Sequence, residues 1–405
     1  MSPIPWMVGW GLTAVCSIAP QSAAFDATQT SDLSLSFGAP VGAALPEVDS
    51  NGPTAEDVQG NLWFIEAVGG TMRSTPWRIF KGSTMDNLVH QYDYVPDQHW
   101  ARPHGDDTWW AEGLWIDPVD GKWFVVMHTE YNYNKYLKKA GTGYSMDRIG
   151  TVSLASSNDQ GRSWTCAGEI ITSSNASEPM HWEGKNYWDE ARGDPALFVD
   201  TDYFYVYYNA RWVSRDDPNV CYAGVRVARC RLADKMAPGS WAKWYQGRWD
   251  QPGLAGYDSD VFNENYSDTA TVFWSRSRKC YVAIVMSDQK FNRATGGWEY
   301  DGSISTCTDL GKQDWAKPIR VCDKDRKGYY TWVMDPNTRS RYVMETDTFR
   351  WYGTENRCRA LVVTLTNAPA HPVTRPPSYP PESVDDHNPG WDRVHFPPPT
   401  KEPKQ

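Results

Sequence analysis

A theme of about 65 residues returns five times between Asp49 and Leu365, which limits the chain to folds that stack one β unit against the next. Each unit opens with an acidic or polar loop and an apolar strand. A turn rich in Asp, Asn or Gly follows, then an aromatic strand, then polar strands that often finish near a Trp. The first unit carries Asp49-Ser-Asn-Gly, Asn61-Leu-Trp-Phe-Ile65 and Trp77-Arg-Ile-Phe80. The second carries Trp109 to Ile116, a turn at Asp117–Gly121, and Lys122 to Met127, and closes at Ser156–Trp164. The third opens at Arg192 and includes Cys221–Leu232 and Trp241–Trp244. The fourth carries Asp268–Trp274 and Cys280–Met286 and closes near Trp315. The fifth carries Tyr329–Met334, Arg341–Met344 and Ala360–Leu365.

No stretch has a convincing helical period, whereas short strands bounded by turn residues recur throughout. Radial repetition of such units gives an all-β chain, expected as a single five-bladed β-propeller over 49–367. A sixth blade fits only if a long loop hides one. Within 25–48, Leu33-Ser-Leu-Ser-Phe37 alternates as a short strand that can join the last blade and remove an exposed edge.

The ends differ in kind. Residues 1–24 hold an apolar run from Trp6 to Ala19 followed by Ser22-Ala23-Ala24, the pattern of a secretory signal peptide, although no Lys or Arg precedes it. The run is too short to span a membrane. Sequons at Asn175 and Asn265 fit export, so a secreted, monomeric glycoprotein is expected. From Ala368 to Gln405 prolines crowd a polar segment, expected to be a disordered tail dispensable for folding. Eight cysteines include Cys16, which would leave with the leader. The others match no zinc spacing, and one to three disulfides are expected among them.

Net charge is −10 with no basic stripe, which argues against nucleic acid as a partner. The 22 Trp and 22 Tyr are more telling. Most of them suit β-sheet cores, and a few can line a cleft where flat faces stack on sugar rings.

The stretch Arg192–Asn209 joins a charged triplet, a proline, an apolar strand, a polar turn at Asp200–Asp202 and an aromatic strand. Pro195 disfavours the helical region for Asp194, so its carboxylate is expected in extended backbone at the strand mouth, kept ionised by Arg192. In His128-Thr-Glu-Tyr-Asn-Tyr133, alternation puts His128 and Glu130 on one face, able to bind substrate, calcium or water. The loop Trp100-Ala-Arg-Pro-His104 offers Arg102 and His104 for sugar and carboxylate recognition.

These units resemble the five-bladed propellers of glycoside hydrolase families 43 and 32. Trp110-Ala-Glu-Gly-Leu-Trp before Gly121-Lys-Trp-Phe-Val-Val resembles the family-43 second blade, and Arg192-Gly-Asp-Pro resembles its third-blade Arg-Asp-Pro motif with Gly193 inserted. Ser156–Trp164 resembles the Asp box of sialidases, a turn device; Cys307-Thr-Asp-Leu to Trp315 resembles the looser family-43 closing. The resemblance covers about residues 49–366 and implies three acids: Asp49 as base, Asp194 as pKa modulator and Asp268 as proton donor, or Glu264 in its place if that loop folds inward. Glu112 replaces the second-blade Asp. Trp110, Arg192, His128, Glu130, Arg102 and His104 are the expected substrate contacts.

The expectation is a secreted hydrolase cleaving polysaccharide or oligosaccharide, inverting, with no cofactor, a calcium at His128 and Glu130 being the one option left open. Two alternatives stay open. A lyase would use His104, His128, Tyr131 and Arg192 for proton abstraction and uronate neutralisation. A non-catalytic glycan-binding propeller would use the same cleft without chemistry.

Overall fold

The computed structural model describes residues 32–45, 49–67, 76–96, 99–100, 107–132, 148–174, 179–182, 185–214, 220–262, 269–292, 297–322, 330–353, 359–367 and 392–393. Among them the regular structure is strand, with two short 3-10 turns and no α-helix.

Strand β1 is Leu33–Val41. The first meander is β2 (Thr54–Glu56), β3 (Leu62–Ala67), β4 (Trp77–Gly82) and β5 (Val89–Tyr94), hydrogen-bonded in that order. The second is β6 (Thr108–Ile116), β7 (Trp123–Asn132), β8 (Arg148–Ser157) and β9 (Thr165–Ile171). After β10 (Pro179–Trp182), the third is β11 (Lys185–Val199), β12 (Tyr203–Ser214), β13 (Val220–Arg231), β14 (Ala242–Tyr245) and β15 (Arg248–Pro252). It meets the second at a parallel pairing of Ala191 with Gly150. The fourth is β16 (Thr269–Ser275), β17 (Cys280–Asn292), β18 (Gly297–Cys307) and β19 (Ile319–Cys322). The last has β20 (Thr331–Met334), then β22 (Thr348–Gly353) and β23 (Ala360–Asn367), while β21 (Val343–Met344) pairs in parallel with β16. Strand β1 pairs antiparallel with β23, Leu35 opposite Leu365, so the N-terminal segment supplies the outer strand of the last sheet.

The first hairpin of several meanders turns on an aspartate. Asp57 accepts from Gln59 N and Asn61 N (3.0 and 2.9 Å) and from Trp63 Nε1 at 2.7 Å. Asp117 accepts from Val119 N at 2.8 Å, and Asp335 from Asn337 N and Thr338 N at 2.9 and 2.8 Å. A short acidic side chain that captures the amides ahead of it fixes the turn locally. The turn at Asp200 closes with Asp200 N on Tyr203 O at 2.9 Å. These turns gather at one end of the sheets, and the heads of β2, β6, β11, β16 and β20 lie at the other.

Alternate residues of each meander pack against the next one. Trp63, Ile65 and Trp77 meet Trp109, Leu114, Trp123 and Trp164. Phe124, Val126 and Leu154 meet Leu197, Phe204 and Val206. Phe198, Tyr205 and Val225 meet Val272, Val285 and Trp315. Phe273 and Ile284 meet Val333, Phe349 and Val363. Leu62 and Phe64, from the first meander, meet Trp332 and Tyr352 from the last. The order of interfaces thus returns to its start, and burial of each large side chain contributes about 1.5–3 kcal/mol.

Ser157–Trp164 forms a compact turn at the far end of β8. Asp159 accepts from Ser157 Oγ (2.7 Å), Ser163 N (2.9 Å) and Ser163 Oγ (2.6 Å), and Trp164 Nε1 donates to Gly161 O at 2.9 Å. Ser157 pairs with Trp123 at one end of β7–β8, and Gly150 with Glu130 at the other. Seven residues of strand, roughly 23 Å at strand rise, separate the two ends.

Cys166, Cys230, Cys280 and Cys307 are free thiols, so the expected disulfides do not involve these four. Within the Pro-rich tail, Asp392–Arg393 (β24) pairs in parallel with Val220–Cys221. The leader and the rest of the tail lie outside the described residues.

Candidate active site

Two bulges build the site. In the middle of β6 the register slips between Ala111 and Gly113, and Glu112 there is fully buried. Gly113 permits this because a Cβ there would lie 2.6 Å from Leu197 Cβ. In β11 the register slips between Gly193 and Ala196. Asp194 lies inside that slip at φ 44°, a left-handed conformation, rather than the extended one that Pro195 favours. A bulge re-aims one side chain at a local conformational cost, and non-glycine residues at such angles cluster at functional sites.

Asp194 is buried, and three elements hold its carboxylate. Asn209 Nδ2, on β12, donates to Oδ2 at 2.5 Å. Tyr330 OH, just before β20, donates to Oδ1 at 2.6 Å, and His128 Nδ1, on β7, lies 3.1 Å from Oδ1. His128 is buried, which works against its charge, but the adjacent Asp194 outweighs burial and its pKa lies above the usual histidine value. The other ring nitrogen, Nε2, is sealed beneath Gly150 and Gly193, where added Cβ atoms would lie 3.1 and 2.8 Å from it. Glu130 Oε1 is 3.9 Å from Nε2.

Glu112 is fully buried. Asn51 donates to its Oε2 through the main-chain N at 2.7 Å and through Nδ2 at 3.2 Å, and Nδ2 also reaches Asp194 O and Pro195 O at 3.4 and 3.3 Å. Burial, then the negative charge of Asp194, raises the Glu112 carboxyl well above its usual range, which favours its neutral form. Asp49 is different. It is open to solvent, yet protein crowds its other sides. That crowding, then the Asp194 charge, pushes its pKa up to about 6, with the Trp110 indole N–H working the other way. The Trp110 ring lies 5.3 Å from the His128 ring.

The structure therefore brings Asp49, Trp110, Glu112, His128, Glu130 and Asp194 together. It does not place Arg192 with them. Arg192 turns to the opposite face, is 1 % exposed, and donates to Asp258 from Nε at 2.7 Å. Arg226 and Lys243 lie 3.6 Å from the same carboxylate, and Tyr208 OH donates to it at 3.0 Å. Although burial opposes ionisation, Arg192, Lys243 and Arg226 hold Asp258 well below the usual carboxylate range. Arg192 therefore turns to Asp258 rather than to Asp194: the bulge after it reverses the facing that simple alternation implies. Arg102, His104, Glu264 and Asp268 lie outside the described residues, as does the side chain of Tyr131.

Asn51, Asn209, Tyr330 and Arg341 were not expected. Each was visible as a polar residue beside or within a strand: Asn51 in Asp49-Ser-Asn-Gly, Asn209 at the end of Arg192–Asn209, Tyr330 just before β20 and Arg341 at the start of Arg341–Met344. Nothing in the local sequence says that they converge.

Glu112, His128 and Asp194 offer donor atoms within 4.8 Å of one another, a spacing that can suit a cation. The donor set fits one poorly. Both Asp194 oxygens already accept hydrogen bonds, and His128 spends Nδ1 on Asp194. The cluster is better described as hydrogen-bonded acids around an imidazole.

No family model and no curated protein matches the chain. Solved structures do. The proteins it is similar to are glycoside hydrolases. A Bacillus subtilis arabinanase shares 12% identity over 82% of this chain and 97% of its own, with a TM-score of 0.43. A family 117 glycoside hydrolase of Zobellia galactanivorans shares 11% over 82% and 89%, at 0.45. A family 32 β-fructofuranosidase of Bombyx mori shares 11% over 81% and 61%, at 0.44.

Proposed function

We propose that the chain is an exported glycoside hydrolase whose meanders are the five blades of a β-propeller, acting as a monomer on a glycan. The cyclic order of the interfaces supports the blade count. One observation carries the chemistry: Asp49 opens to solvent beside Asp194, with a pKa near 6, while Asp194 is pinned from three elements. Asp49 is the general base, ionised above about pH 6 and able to take a proton from water. Asp194 raises the basicity of Asp49 by its charge and holds the site's geometry. Glu112 lies buried near both, its neutral form favoured by their charges. The proton donor to the leaving oxygen is Asp268, and attack by water on the opposite face inverts the anomeric centre.

The substrate is a neutral sugar. Carboxyl groups crowd the described site, and Arg192 is committed to Asp258, so a uronate meets like charge. That also disfavours a lyase.

Digestion of a panel of neutral and acidic glycans by the purified chain tests the function. New reducing ends without an unsaturated product, lost in Asp49→Asn, are expected. Ultraviolet-absorbing product means a lyase; binding without cleavage means a lectin.

A further inference from the structure

Arg341 lies in the turn between β20 and β21 and is 9 % exposed. Its Nη1 donates to Gly52 O at 2.6 Å and its Nη2 to Asn51 O at 2.8 Å. No carboxylate among the described residues pairs with it directly. A guanidinium stays charged in a protein, so burying one against two carbonyls is costly unless the geometry is fixed. The loop it grips has little freedom. Gly52 has φ 60°, and an added Cβ there would collide with the Trp332 ring, which is fully buried and stacked on Tyr352 at 5.3 Å. The Asn51 carbonyl faces Arg341, while its amide N–H and side-chain amide face Glu112 and the Asp194 bulge. One residue, two positions after Asp49, thus joins the last meander to the bulges of β6 and β11.

Arg339 and Arg350 make the same crossing further out. Arg339 Nη1 donates to Gly60 O and Ser83 O at 3.0 and 2.7 Å, and Arg350 Nη1 to Asp86 at 2.7 Å. Arg339 also pairs with Glu56 at 2.8 Å, and neither contacts Asn51, Glu112 or Asp194 in these bonds, so both serve as internal comparisons.

We propose that Arg341 is a positioning residue of the active site, acting through Asn51 to set where Glu112 and Asp194 stand relative to Asp49. A fork of two N–H groups fixes both position and rotation of the 51–52 carbonyls, which a lysine ammonium cannot do. Arg341 acts through the carbonyls of Asn51 and Gly52. Its loss lets the loop shift, and a shift on the order of 1 Å at a reacting group costs about 100-fold in rate.

The kinetic arm of the test rests on the hydrolase reading; a second arm does not. In the first, kcat and KM are measured for Arg341→Lys, Asn51→Ala and the double variant. Arg341→Lys is expected to lower kcat by at least about tenfold with KM within about threefold. Residues acting as one unit are non-additive, so the double variant is expected to be little worse than the poorer single one. Rate losses that multiply, or that follow the fall in Tm as they do in Arg350→Lys, overturn the proposal. In the second arm, amide hydrogen exchange of the full chain is followed over 49–53 and over the turn 57–61. Arg341→Lys is expected to speed exchange at 49–53 alone, and Arg350→Lys is not. Equal acceleration in both segments, or none, overturns the proposal whether or not any glycan is cleaved.

Discussion

His128 Nδ1 lies 3.1 Å from Asp194 Oδ1 across the parallel junction of the second and third meanders, and the two residues hold each other in place. The imidazole fits because both strands present glycine, Gly150 and Gly193, to its far edge.

Gly193→Ala puts a methyl 2.8 Å from His128 Nε2, so the ring must leave Asp194. Turnover is expected to fall on the order of 100-fold. His128→Asn, which leaves room for that methyl, should make the second substitution nearly neutral. Kinetics of the two single variants and the double variant check this; independent effects would contradict it.

Asp49 titrates near pH 6 because crowding and the Asp194 charge favour its neutral form. As the base it must be ionised, so kcat/KM is expected to rise with pH through about 6. Asp194→Asn removes one negative neighbour, and the Asp49 titration is expected to move to lower pH. Carboxyl NMR titration of both proteins reads this without catalysis. The effect on stability has a definite sign. The folded pKa lies above the ordinary 3.8, so the Asp49 contribution is fully present below pH 3.8 and is lost as pH rises through 6.

Asp159→Ala removes the acceptor of the Ser157–Ser163 turn, at the far end of β8 from Gly150. Stability is expected to fall by about 1 kcal/mol per hydrogen bond lost, with kcat unchanged. Urea unfolding and steady-state kinetics on one preparation decide it, and a lower kcat at unchanged unfolding midpoint would count against this placement.

Asp258→Asn leaves Arg192, Arg226 and Lys243 buried without their central carboxylate. Breaking a buried ionic cluster at one member costs about 3–5 kcal/mol. A large drop in the denaturant midpoint is expected. A stable variant with altered sugar preference would instead place Arg192 in the substrate site.

The all-β class was legible because its determinants are local. Aspartate and glycine turns at Asp57, Asp117 and Asp335 are set by a few neighbouring residues, and alternation marks which side chains go inward. The joining of Leu33–Phe37 to the last sheet was legible too, since a short alternating strand needs an edge. Asp49, Glu112 and Asp194 could be singled out because each sits in a short polar motif beside an apolar run, in Asp49-Ser-Asn-Gly, Trp110-Ala-Glu-Gly and Arg192-Gly-Asp-Pro.

The tertiary structure decided where those side chains point. A bulge shifts facing by one residue, and no local pattern announces it. That shift at Gly193–Ala196 sent Arg192 to Asp258 and Asp194 to His128. Convergence of Asn51, Asn209, Tyr330 and Arg341 also depended on contacts between residues far apart in the chain, up to 290 positions for Arg341 and Asn51. The charge states followed from the same packing, because burial and neighbouring carboxylates, which a sequence does not contain, set the ionisation of Asp49 and Glu112.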